Sequence, residues 1–203
     1  MIQSLLVGFA IGFLLAIPGG PAGMFCMERT LRRGRTAGMI SASGIALADA
    51  VCSFLVLHGL DRISSWGRIP NMYLDRWLGA LFLVYGMNGL LSSPPSTPSR
   101  SESTDWISFL STFGMVVLNP GTFVPIASLF ALAGLPAEGT TGLGMISLSV
   151  MVAIGTIAFW SLGTRWIERP RGRLSARHLD RLARGSSIVI VLLGLWILVS
   201  SML

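Results

Sequence analysis

Few residues in this chain are equipped for chemistry, and they stand in unusual surroundings. Asp49 sits in the middle of "GMISASGIALADAVCSFLVLHGL", the one acidic residue of nine that lies deep inside an apolar stretch. An ionisable group in a lipid-spanning helix is expensive, so it normally faces the protein interior and marks a pathway for ions or substrate. Its neighbours at helical spacings of three, four, seven and eight are Ser41, Ala42, Ile45, Ala46, Cys52 and Ser53. They form a small, weakly polar face that suits a hydrated cavity. A carboxylate there can exchange a proton for a cationic group on a substrate, which assigns Asp49 to substrate binding and proton coupling. The competing role is structural, an aspartate bonded to the freed amides of a broken helix.

Such breaks are present. "LLAIPGGPAGM" carries Pro18, Gly19, Gly20 and Pro21 inside a greasy segment, and "VVLNPGTFVP" carries Asn119, Pro120, Gly121 and Thr122, followed by Pro125. Proline lacks the N–H of a helical residue and clashes with the preceding turn. A helix crossing lipid breaks at such a point and leaves backbone groups that something must satisfy. The amides at the start of the resumed half-helix, at its positive dipole end, suit an anionic group such as a carboxylate. Gly20 to Met24 are expected to supply them. A simple kink repaired by nearby hydroxyls would explain one proline, but not two breaks at similar depth in the two halves of the chain.

These residues must be held by membrane-spanning helices. Of 203 residues, 52% are hydrophobic and only 12% charged, with a mean hydropathy of +0.71, against about 25% charged in an average soluble protein. Six stretches reach the roughly 20 apolar residues that a span needs: 4–27, 38–60, 72–91, 108–134, 142–163 and 186–203. The fold class expected is therefore an all-α integral membrane protein with six transmembrane helices.

The net charge of +6 could point to nucleic acid, but its distribution does not. All fifteen basic residues are arginines, and eleven fall in two clusters, Arg29 to Arg35 and Arg165 to Arg184, beside apolar runs and with Trp166 alone of the Phe, Tyr and Trp residues among them. They are topology signals facing anionic headgroups, not a base-stacking platform. Connections one, three and five hold twelve arginines and connections two and four hold three. This places the odd connections in the cytoplasm and both termini on the external, periplasmic side. No basic residue precedes the first apolar run, so that run reads as a mature span and not a cleaved signal. The Ser/Pro-rich linker at 92–107 divides the chain into two three-helix halves, 1–91 and 108–203, and a basic loop at 164–185 lies within the second. Within that loop "LSARHLDRLAR" reads as an amphipathic helix on the inner surface, with His178 an interfacial side chain. Three helices per half make the halves inverted repeats, each opening with a broken helix, the best sequence-level pointer to a secondary transporter's binding site.

The segment "GFLLAIPGGPAGMFCMERTLRRGRTAGMISASGIALADAV", with Pro-x-Gly-Pro, the turn "RTLRRGRTAG" and "GIALAD", resembles the first two helices of the LysE/RhtB amino-acid exporter family. "FGMVVLNPGTF" and a basic loop before "GLWIL" agree with its second half. The resemblance implies a six-helix bacterial inner-membrane antiporter that exports an amino acid or related small solute in exchange for protons, with no cofactor and no enzymatic activity. Carried onto this chain, it puts the substrate at Pro18, Gly20, Pro21, Asp49, Asn119 and Pro120; Gly19, Gly121 and Thr122 lie in the same breaks. Many members have lysine directly after Asn-Pro where this chain has Gly121, and Pro-Gly-Gly-Pro holds an extra glycine, so a substrate carboxylate meets one positive charge fewer.

Other readings use the remaining polar residues. A heavy-metal exporter would draw on Asp49 and Cys52, which share a helix face, but His58 points to the opposite side and supplies no third soft ligand. A thiol-redox protein would draw on Cys26 and Cys52, yet both sit among apolar residues, where a small packing role is usual. Glu28 is an interfacial ion-pair partner. Arrays of small residues, Gly8-Gly12-Ala16-Gly20 and Gly34-Gly38-Ala42-Ala46-Ala50, allow close helix packing. On an outward face they would also serve a homodimer in contact with membrane lipids.

Overall fold

The computed structural model describes residues 2–17, 21–65, 104–135 and 141–168, with single positions between 76 and 91 and between 185 and 199. Among these residues every element is a helix: α1 (Ile2–Leu15), α2 (Pro21–Arg33), α3 (Arg35–Ser65), α4 (Asp105–Val117), α5 (Pro120–Leu132) and α6 (Gly142–Glu168). The expected spans at 72–91 and 186–203, the linker at 92–103 and the loop around His178 lie outside the described residues, apart from those single positions.

Local chemistry sets the boundaries. α1 ends ahead of Pro18, its last turn tightened by Ile17 N–H donating to the Leu14 carbonyl at 3.2 Å, because a residue before proline is disfavoured in the α region. α2 opens on Pro21, where a missing N–H costs nothing. It runs through the arginines to Arg33, well past the expected end at 27. Gly34, at φ +90°, then reverses the chain within one residue. α3 continues for 31 residues, longer than the expected 38–60. The fourth expected span is two helices, α4 and α5, bent by 66° at Leu118–Asn119. α5 does not stop at Pro125 as the sequence suggested. The carbonyl that Pro125 fails to meet belongs to Gly121 in the first turn, near the helix's free end. Gly134, at φ +65°, closes α5, with Leu135 N–H donating to the Phe130 carbonyl at 2.9 Å.

α3 is central. α6 crosses it antiparallel, with Thr164 beside Met39 and Thr156 beside Asp49. α1 lies parallel to α6, Gly8 against Leu148 and Gly12 against Val152. α4 lies parallel to α3, Arg33 and Gly34 marking the end near Asp105 while Gly44 meets Phe109 and Thr112. The end of α2, the start of α4 and the end of α6 thus gather at one arginine-rich end of the bundle.

Two apolar clusters fill the interior. The one toward the arginine end joins Ala22, Cys26 and Met27 of α2 to Ala42, Ile45 and Ala48 of α3, with Val116 and Trp160. The other joins Ile11 of α1, Cys52, Val56 and Leu57 of α3, Ile126 and Phe130 of α5, and Val152 of α6. The opposite faces are apolar too: Leu47, Val51 and Leu55 on α3, and Ile146, Val150, Ile154 and Ile157 on α6, are exposed. A helix apolar on every side belongs in lipid. Arg35–Asp61 and Gly142–Ile167 are each long and apolar enough to cross a bilayer, at mean hydropathies of 1.9 and 2.0.

The closest helix pairs meet at glycine. A Cβ on Gly12 would collide with the Val152 carbonyl, one on Gly155 with the Phe9 carbonyl, and one on Gly44 with the Phe109 carbonyl. Gly59 has open space around it. Gly12→Val and Gly155→Val should therefore each destabilise the bundle by about 2 kcal/mol through overpacking against backbone. Gly59→Ala should be neutral or slightly stabilising. Denaturation of the purified protein in detergent measures the contrast.

Candidate functional site

Asp49 lies midway along α3, at the level where the two apolar clusters meet, and is 5% exposed. Its Oδ2 accepts a hydrogen bond from the Thr156 hydroxyl of α6 at 2.9 Å. The same Thr156 oxygen stands 3.2 Å from the carbonyl of Gly12, in the last full turn of α1. Three helices therefore converge on one hydroxyl. No basic side chain pairs with the carboxylate among the described residues; the ion pairs there are Arg32 with Glu28 at 3.1 Å and Arg33 with Asp105 at 3.3 Å, both at the arginine end. A buried carboxylate whose one side-chain donor is a neutral hydroxyl is a site for a cation or a proton.

Both breaks reach this level. Ala16 and Ala22, on either side of the first, pack with Ile45, Ala48 and Trp160. Val116, in the last turn before the second, packs in the same cluster. Each broken helix gives one half to each cluster, α2 and α4 toward the arginine end, α1 and α5 away from it.

Of the residues expected at the site, Pro18, Gly19 and Gly20 lie outside the described residues, and Pro21 is the first residue of α2. Pro120 opens α5, and Asn119 caps it. The Asn119 Oδ1 accepts from the Gly121 amide at 3.0 Å, and its carbonyl accepts from the Thr122 amide at 3.0 Å. The second break thus satisfies its own first donors. The first cannot do so in this way, since glycine at position 20 has no side chain to cap α2. Ser41, Ala42, Ile45, Ala46, Cys52 and Ser53 are all buried beside Asp49 on α3, but Ser41 serves another centre.

That centre is Arg29. The first arginine cluster was expected to face headgroups, yet Arg29 turns inward: its Nη1 donates to the Ser41 hydroxyl at 3.0 Å and the Ser108 carbonyl at 2.9 Å, its Nη2 to the Ser111 hydroxyl at 2.9 Å. It ties α2 to α3 and α4 through neutral acceptors. Glu28, the expected ion-pair partner, bonds to Arg32 one turn on.

Sequence reasoning placed Ser53 on the Asp49 face but missed Thr156 and Trp160. Ser53 Oγ, one turn along α3 from Asp49, and Trp160 Nε1, one turn along α6 from Thr156, have no hydrogen-bond partner among the described residues. A buried donor left unmade costs about 1–3 kcal/mol. In a site that takes up polar solutes, such groups are available to the solute.

Cys26 and Cys52 are free and buried in different clusters, and Cys26 Sγ donates to the Gly38 carbonyl at 3.2 Å. His58 is exposed and stacks on Phe54 at 5.7 Å. Among the described residues no three His, Cys, Asp or Glu side chains gather as a metal site would require.

With this geometry in place, comparison with known proteins decides the family. Residues 13–201 match the LysE type translocator family. The chain belongs to that family. It is a membrane transporter and not an enzyme, and its apolar helices are those of an amino-acid exporter family. The arginine exporter protein ArgO of Yersinia enterocolitica serotype O:8 / biotype 1B is 26% identical over 183 residues, covering 84% of this chain and 86% of that protein. No solved structure matches.

The Arg29 clamp gives a test independent of transport. Arg29→Ala should lower stability by about 2 kcal/mol, because hydrogen bonds to a charged group carry more than neutral ones. Arg29→Lys should recover only part of this, since one ammonium cannot reproduce the planar fork across three acceptors. Chemical denaturation of both variants beside the parent protein measures the difference.

Proposed function

We propose that this LysE-type translocator is a secondary active exporter of an amino acid or related small solute across the bacterial inner membrane, driven by exchange for protons. The observation that carries the reading is Asp49, buried at the crossing of α3 and α6, without a basic partner among the described residues and level with both helix breaks. A carboxylate so placed can hold a substrate's cationic group in one step and a proton in the next.

The architecture proposed is six spans in two inverted three-helix repeats, with the expected halves at 1–91 and 108–203. Two features support it. α3 and α6, the unbroken helices of the two halves, cross antiparallel, and each packs in parallel on the first half-helix of the other half. Counted from Arg35 and Gly142, Asp49 and Thr156 are both the fifteenth residue of their helices. The arginine-rich end, where three odd-numbered connections begin or end, is proposed to be cytoplasmic, with both termini periplasmic.

The substrate is proposed to lie between the breaks and Asp49. Its ammonium or side-chain cation meets Asp49, and its carboxylate meets the amides from Gly20 to Met24, where α2 has no capping side chain. Pro18, Gly19 and Pro21 shape that first break; Asn119, Pro120, Gly121 and Thr122 shape the second. The relative named as an arginine exporter makes arginine the first substrate to test.

Inside-out vesicles with an imposed pH gradient provide the assay, using a panel of radiolabelled amino acids that begins with arginine. Asp49→Asn should lower gradient-driven accumulation at least tenfold, and Asp49→Glu should keep part of it. An Asn variant with the parent's dependence on the gradient rejects the coupling role. Gly20→Val should raise the apparent KM several-fold with little change in protein level, and normal transport by that variant rejects the amide site.

A further inference from the structure

We infer that Thr156 is a proton-dependent switch, passing the charge state of Asp49 to α1 by redirecting its single hydroxyl proton between the Asp49 carboxylate and the Gly12 carbonyl. The inference rests on the reading of Asp49 as a group that takes up and releases a proton.

The geometry gives Thr156 two acceptors, and the switch requires the proton taken up by Asp49 to sit on Oδ2; a proton on Oδ1 would leave Thr156 donating to Oδ2 unchanged. Thr156 Oγ1 is within hydrogen-bond reach of two oxygens, Asp49 Oδ2 at 2.9 Å and the Gly12 carbonyl at 3.2 Å, and a hydroxyl has one proton to give. When Asp49 is ionised, both of its oxygens can only accept, so Thr156 donates to Oδ2. The Gly12 carbonyl is then left with the Ala16 N–H at 3.1 Å. When Asp49 takes up one proton on Oδ2, two hydrogens would face each other across 2.9 Å. The carboxyl O–H therefore donates to Thr156 Oγ1, and the threonine proton turns to Gly12. One proton enters, two hydrogen bonds change direction or partner, and no covalent bond within the protein is made or broken.

The consequence falls on the first break. Among the described residues the Thr156–Gly12 contact is the one hydrogen bond between α1 and α6. The two helices otherwise meet through apolar contact and bare backbone at Gly8, Gly12 and Gly155. Protonation of Asp49 thus fastens the end of α1 to α6, four residues before the chain leaves the helix. Ionisation frees it, while the Asp49–Thr156 bond that joins α3 to α6 is kept in both states and only reverses its direction.

Among the described residues no other titratable group competes at this point. α1 and α5 carry none. α6 carries only Arg165 and Glu168, at its arginine end. α2 offers Cys26, Glu28, Arg29, Arg32 and Arg33, and α4 offers Asp105, all toward that same end. On α3 the near one is the Cys52 thiol, buried in the cluster on the far side from the arginines, and His58 is exposed on another face.

The test needs no knowledge of the substrate. Infrared difference spectra of the reconstituted full-length protein are recorded across a pH titration for the parent, Thr156→Val, Thr156→Ser and Asp49→Asn. The expected result is a carboxyl C=O band that appears as pH falls, is absent in Asp49→Asn, and moves to the frequency of a carboxyl without a hydrogen-bond partner in Thr156→Val. Valine matches threonine in shape, and Thr156→Ser, which keeps the hydroxyl, should restore the parent band. A band at the same frequency in the parent and Thr156→Val overturns the switch, as does a parent band at the frequency of a carboxyl whose C=O accepts a hydrogen bond, the mark of a proton on Oδ1, and as does the absence of any Asp49 band over the range where the protein stays folded. In vesicles under a pH gradient, Thr156→Val should lose at least fivefold in arginine accumulation while Thr156→Ser stays within twofold of the parent. If arginine is not carried, the infrared result still decides the switch. If instead Asp49→Asn transports with full gradient dependence while the band shift in Thr156→Val persists, the switch stands and the proton-exchange reading falls.

Discussion

Close approach of helix backbones is the constraint on which the site depends. A threonine hydroxyl sits one bond beyond Cβ and reaches only a short way, and Thr156 contacts Gly12 and Asp49 together because α1, α3 and α6 come near without side chains between them. Gly12 and Gly155 remove the two Cβ atoms that would hold α1 and α6 apart, each facing a carbonyl of the other helix. In lipid such contact is favoured by packing alone, since burying apolar surface against a neighbour gains little over burying it against acyl chains. The same glycines therefore stabilise the bundle and bring a polar hydroxyl to a backbone oxygen, and the two tasks cannot be separated by mutation at those positions.

Much of this arrangement was legible in the sequence. Pro18 and Pro21 predicted the first break because proline acts locally, and Asn119-Pro120 predicted the second for the same reason. Pro125 misled, since a proline near the free start of α5 forgoes only a bond within the first turns. The ends of α2 and α3 were misplaced because arginines favour helix as readily as apolar residues do, so both helices extend beyond the hydrophobic run. Asp49 was visible as a lone charge in an apolar segment. Its partner was not: Thr156 is one of many hydroxyls in α6, and it is 107 residues away. The signal that could have found it is register. Aligning α3 and α6 as equivalent helices puts Thr156 opposite Asp49, but that needs helix starts the sequence did not mark. Arg29 was hidden for the opposite reason, because a cluster of arginines at a membrane edge already has an adequate explanation in topology.

The two breaks are alike in sequence and different in chemistry. At the second, Asn119 turns both its side-chain and its backbone oxygen onto the amides that follow, and Gly121 adds no charge. At the first, the residue before Pro21 is glycine, which cannot cap. The resemblance to exporters with lysine after Asn-Pro bears on this: Gly121 stands where they carry that positive charge, and the proposed carboxylate site at the first break is the counterpart of that loss.

Each broken helix gives one half to each apolar cluster, and this division bears on motion. A cluster packed to ordinary protein density moves as a unit, so relative movement of the two must be taken up where chain passes between them. Four such passages exist among the described residues: the break before Pro21, the break at Leu118–Asn119, and the middles of α3 and α6. The first two lie where one helix has ended and the next begins. The last two are continuous helices, and their midpoints are where Asp49 and Thr156 bond to each other. The hydrogen bond between them thus crosses the plane about which the two clusters would turn. The proposed change in charge at Asp49 would act at that pivot, where a small change in helix spacing would become a larger displacement at either end of the bundle.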